Sequence, residues 1–182
     1  SVDSGTIKLD GNYPVGTDNV ALGDTALDSN VSGDYNTAIG SKALTANTTY
    51  WNTAVGFEAL CDTTSGGTNT AVGARAMCDN STGCQNVSVG YGSMSKNTTG
   101  EDNTAIGQGS LTSNTTGDFN TAVGKSSLSA NTTASSNIAV GHQAMYFNTT
   151  GENNVAMGRN ALLNNTTASN NTALGYNSSC LN

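Results

Sequence analysis

A 17-residue repeat runs through the chain and constrains its fold more than any other feature. The glycine that closes an Asn-x-Ala-(aliphatic)-Gly motif recurs at Gly23, Gly40, Gly56, Gly73, Gly90, Gly107, Gly124, Gly141, Gly158 and Gly175. The steps are 17, 16, and then 17 residues seven times. Four residues before each glycine stands an Asn, from Asn19 to Asn171, and one residue before it stands an aliphatic side chain or methionine. A period this short leaves no room for a helical hairpin, which needs more than about 30 residues. It fits a coil of two strands of roughly four residues and two turns. The expected fold is therefore all-β: a parallel β-solenoid (β-roll) of about ten coils spanning residues 19–182, preceded by residues 1–18 as a cap or linking strand. In that leading segment Thr6-Ile7-Lys8-Leu9 alternates like a strand.

The first strand is Asn-Thr-Ala-Val-Gly and its variants. The second is expected in Gly-x-x-(Ala/Ser)-(Leu/Met), as in Ala43-Leu44, Ala76-Met77 and Ser127-Leu128. A second Asn column follows seven residues after each glycine, broken only by Thr63, and Thr-Thr-Gly or Thr-Thr-Ala turns the chain back. Asn47 keeps the register of Asn30, so the residue missing from the 16-step belongs to the turn near Tyr50-Trp51. Coils paired in parallel at about 4.8 Å make a rod roughly 50 Å long. Like residues then stack on like, and asparagines bond along the stack as in cross-β arrays.

Stacking resolves an otherwise puzzling composition. The 182 residues include 22 Gly and one Pro, and only 10% are charged. So polar a chain usually fails to bury a core, but self-complementary polar ladders supply another route to order. The net charge of −7, with six Lys and Arg, excludes a phosphate-backbone partner. No run approaches the roughly 18 apolar residues needed to cross a bilayer.

Alternation along the first strand sends Ala inward, and Thr and Val outward. The outward column reads Leu22, Ile39, Val55, Val72, Val89, Ile106, Val123, Val140, Met157 and Leu174, joined two residues earlier by Val20, Val87, Ile138 and Val155. An apolar stripe along a whole rod marks an interface, and a symmetric copy of the same chain is the simplest partner. An open solenoid end also invites head-to-tail addition into a filament.

The motifs Asn19-Val20-Ala21-Leu22-Gly23, Asn137-Ile138-Ala139-Val140-Gly141 and Asn154-Val155-Ala156-Met157-Gly158 resemble the head repeats of trimeric autotransporter adhesins. The longer unit from Asn103 to Gly117 is similar to repeat regions of phage and large-virus tail fibres. The resemblance covers about residues 19 to 180, with the extra length of each repeat in the Asn-Thr-Thr turn. It implies left-handed rolls packed three around an apolar axis: a homotrimer with a fibre-like role, extracellular, on a cell surface or on a virion.

Chemistry beyond structure is sparse. His142 is the single histidine and reads as an exposed turn residue, without the partners that a triad or a metal site requires. Asp34, Glu101, Asp102, Asp118 and Glu152 gather near one turn and read mainly as solvated charge. No catalytic residue, cofactor or metal is expected. Cys61 and Cys78 share a column one coil apart, within disulfide reach; Cys78–Cys84 is the rival pairing, and free thiols are the third alternative. Cys180 is a candidate for an inter-chain bond. Asn30, Asn47, Asn80, Asn97, Asn114, Asn131, Asn148 and Asn165 each open an N-x-Ser/Thr sequon. They read either as an inward ladder or as glycosylated surface. The threonines in register at Thr37, Thr53, Thr70, Thr104, Thr121 and Thr172 raise ice binding as an alternative. The aromatics of the variable turns, Tyr50-Trp51, Phe57, Tyr91 and Tyr146-Phe147, raise either contact with a cell-surface glycan or packing at the trimer surface.

Overall fold

The computed structural model describes residues 16–179. It is a parallel β-solenoid of about nine turns whose ten strands run from β1 (Val20–Leu22) to β10 (Thr172–Leu174), one per coil. They form a single parallel sheet in strict chain order. Register follows the repeat: Thr37 pairs with Thr53, Ala38 with Ala54 and Ile39 with Val55. The shortened coil is thus absorbed without a slip. Thr49 supplies the carbonyl that Gly33 supplies one coil earlier, so the missing residue comes from the turn at 48–51. The cap strand expected at Thr6–Leu9 lies outside the described residues.

The second strand expected in each coil does not form. Residues 41–46 and their counterparts are turns, in which every second residue takes a positive φ: Lys42 at 60° and Leu44 at 51°. Amide groups in this segment bond to both neighbouring coils. The Lys42 N–H donates to the Asp24 carbonyl at 2.8 Å and the Leu44 N–H to the Ala59 carbonyl at 3.0 Å. These bonds hold non-glycine residues in a conformation that costs roughly 1–2 kcal/mol each. The geometry also explains the core. A strand would send Ala43 and Leu44 to opposite faces, whereas the alternating turn buries both completely.

The interior is a thin column of small and medium side chains. From the second coil to the ninth, each strand contributes its central Ala or, at Ser88, a serine, and each turn segment adds an Ala or Ser and one Leu or Met, all buried. One buried Leu stabilises by about 1.5–3 kcal/mol. Orphaning one buried amide costs about 1–3 kcal/mol, so the polar ladders carry weight equal to the apolar column.

The closing glycines from Gly23 to Gly158 are required by both conformation and space. Gly107 has φ +129°, and a Cβ built there would sit 2.7 Å from the backbone of Gly124 in the next coil. Gly107→Ala is expected to destabilise the solenoid by about 3 kcal/mol or more, read as a lowered midpoint in thermal unfolding followed by circular dichroism. An unchanged midpoint would mean that the coils are not stacked this closely.

Candidate functional site

Two asparagine columns line the inside corners of the coil. In the first, the Asn120 backbone N–H donates to the Asn103 Oδ1 of the previous coil at 2.9 Å, and Asn120 Nδ2 donates to the Ala134 carbonyl of the following turn at 2.8 Å. The same pattern recurs from Asn36 to Asn154, and the Asn171 N–H keeps the bond to the previous coil. In the second, each Nδ2 from Asn97 to Asn165 donates along the stack, as from Asn114 to Asn97 and from Asn131 to Asn114 at 2.9 Å. It also closes its own turn, as Asn131 does on the Ala134 carbonyl.

Asn30, Asn47, Asn80, Asn97, Asn114, Asn131, Asn148 and Asn165 are all buried. A glycan replaces one Nδ2 hydrogen, and from Asn97 onward both are committed to these bonds. In the folded coil these side chains form the inward ladder of the two sequon readings. The ladder falters at Thr63, where Asn80 Nδ2 finds the threonine hydroxyl only at 3.4 Å.

Beside that faltering rung lie two cysteines. Cys61 and Cys78 are free thiols on adjacent coils with Sγ atoms 2.6 Å apart. Contact with the Cys78 sulfur, reinforced by burial, pushes the Cys61 thiol well up, while the same contact holds Cys78 below its ordinary value. Cys84 instead lies near the Thr82 carbonyl, at 3.3 Å. Cys180 falls outside the described residues. Asp62 joins Cys61 and Cys78 in the one grouping of three ligand-type side chains within 4.8 Å among the described residues.

The outward columns carry everything else. Val20, Ile39, Val72, Ile106, Met157 and Leu174 are exposed, with Ile106 at 41% and Leu174 at 64%. Leu22, Val55, Val89, Val123 and Val140 are half-buried in the same column. The threonines of the strands stand in register beside this stripe but are interrupted by Val87, Ile138 and Val155. Tyr35 and Trp51 stack on neighbouring coils with ring centroids 6.2 Å apart, and Tyr50 leans on Trp51 at 5.9 Å.

His142 is exposed. Two of the clustered carboxylates serve the stack: Asp118 accepts from the Glu101 N–H at 2.8 Å, and Asp34 accepts from the Thr17 N–H at 2.6 Å. Glu101, Asp102 and Glu152 are exposed.

One feature escaped the sequence reading. Two residues past the closing glycine, eight coils carry side chains such as Lys42, Glu58, Arg75, Ser126 and Gln143, whereas Gly92 and Gly109 carry none. Their absence opens a notch of about 410 Å³ on the outside of the turn segment. The two-glycine interruption of that column was the available signal.

No family model, curated protein or solved structure matches the chain.

Oxidation is expected to join Cys61 to Cys78. Each thiol loses a proton, and the two electrons pass to an oxidant such as oxidised glutathione. Closing a 17-residue separation stabilises by about 3 kcal/mol on the chain-entropy estimate. Peptide mapping after treatment with oxidised glutathione should recover a Cys61–Cys78 crosslink, with a higher unfolding midpoint than the reduced chain. Recovery of Cys78–Cys84 instead would contradict this pairing.

Proposed function

We propose that the chain is a non-enzymatic segment of an extracellular or virion-borne fibre, in which homotrimeric solenoids space or present an attachment surface. The observation that carries this reading is the outward column from Leu22 to Leu174, exposed or half-buried in every coil. Along a ten-stranded sheet this apolar column is continuous, and a continuous apolar surface on a polar rod is stabilised by a partner. A copy of the same chain offers a stripe of identical pitch, so each aliphatic side chain meets an equivalent one at every coil.

A three-fold arrangement matches the adhesin-head resemblance. Head-to-tail association of such rods is the filament form of the same reading.

The second reading, an adhesin-type glycan-binding surface, is favoured by the exposed aromatics and the notch. Ice binding has less support, because valine and isoleucine interrupt the threonine rank.

Light scattering coupled to size exclusion tests the association. The wild-type chain is expected at about three times its 18.3 kDa mass, or as longer polymers built from that unit. Ile106→Lys combined with Val72→Lys places charge in the middle of the stripe and should yield folded monomers. A wild-type monomer would overturn the fibre reading.

A further inference from the structure

We propose that the notch over Gly92 and Gly109 is a binding site for an anionic saccharide, a sugar bearing a carboxylate or sulfate group. This inference deepens the attachment-surface reading and rests on it.

The notch begins with backbone geometry. Gly92 and Gly109 have φ of 60° and 63°, the values that Lys42, Arg75, Gln143 and Asn160 adopt at the same step of their coils. The fold therefore accepts side chains at this step and lacks them in two consecutive coils. A Cβ at Gly92 would meet nothing within 4 Å, and one at Gly109 would meet only the Thr112 and Ser126 hydroxyls, at 3.4 and 3.8 Å. The two glycines thus leave an open depression of about 410 Å³, within the range of about 300–1,000 Å³ for small-ligand sites.

Its walls have the chemistry of an acidic sugar site. Arg75, Lys96 and Lys125 line the depression, three of only six Lys and Arg in a chain of net charge −7. Arg75 is partly engaged, 3.5 Å from Glu58. Lys96 and Lys125 make no ion pair among the described residues, and both are exposed. Asp79 is the single carboxylate on the wall, so the site keeps a positive excess and an acceptor for sugar hydroxyls.

Tyr91 stands beside the cations, 61% exposed, and offers an aromatic face on which the apolar side of a pyranose ring can stack. The Ser95 and Thr112 hydroxyls complete a polar lining. A long polyanion is disfavoured by the acidic remainder of the rod, whereas a single charged sugar meets only the local excess.

The test uses the full chain in its native oligomeric state, with saturation-transfer NMR and a glycan array as readouts. The probes are sialyllactose for the carboxylate arm, a sulfated lactose for the sulfate arm, and neutral lactose as control. Gly92→Asn with Gly109→Asn fills the notch with a residue that Asn160 and Asn177 show to be compatible with this backbone. Lys96→Gln with Lys125→Gln removes the charge and leaves the shape.

Wild type is expected to bind one anionic probe at least tenfold more tightly than lactose, weakening as salt rises. Both double variants should lose at least tenfold with an unchanged unfolding midpoint. No binding of either anionic probe, or binding that survives notch filling, overturns the site. Those outcomes with the trimer intact leave the fibre reading standing; a monomer that binds the probe overturns the fibre reading alone.

Discussion

Everything in this solenoid depends on the hydrogen bond from one coil to the next at fixed register. Strand amides supply it along the sheet, turn amides supply it in the segments with alternating φ, and asparagine side chains supply it at the two corners where regular pairing stops. The core is too thin to hold the coil unaided, since its repeating unit is one Leu or Met with small residues around it. Because every coil-to-coil bond requires the same group in the same place, the sequence repeats at nearly every inward position and varies outward. Ser88, in place of the usual Ala, is among the few inward departures, and Thr63 is another.

That division explains how much was legible. The period, the parallel stack, the inward Ala and the place of the shortened turn all follow from columns of identical residues, because identity is what stacking demands. The turn segment reads as a strand from its sequence, yet it forms a turn. Its apolar residues are adjacent, as in Ala43-Leu44, whereas a half-buried strand alternates; adjacency was the clue that both point inward. Positive φ at Leu44 and its equivalents had no signal in residue type, since leucine normally avoids that region. Only coil-to-coil bonding imposes it.

The outward positions were harder to read for the converse reason. No stacking rule fixes them, so their meaning comes from what they form together: an aliphatic stripe, a stacked Tyr35–Trp51 pair, a cysteine pair beside the weakened rung, and a notch where two side chains are missing. The sequons show the same logic in reverse. Read singly, Asn-Thr-Thr invites sugar; read as a column, each Asn is an interior partner of the next. A rod whose inside is fixed by repetition and whose outside is free to vary suits a spacer that carries local recognition features.

The asparagine ladders bind each coil to the next just beyond the ends of the strands. Hydrogen–deuterium exchange at the backbone N–H groups of Asn52, Asn69, Asn86, Asn103, Asn120, Asn137 and Asn154 tests it most directly. These amides lie just outside the strands, and each donates to the Oδ1 of the previous asparagine at 2.9–3.0 Å. Protection equal to that of the neighbouring strand amides, lost only in global unfolding, is expected. Exchange at the rate of exposed turns, with the strands still protected, would contradict it.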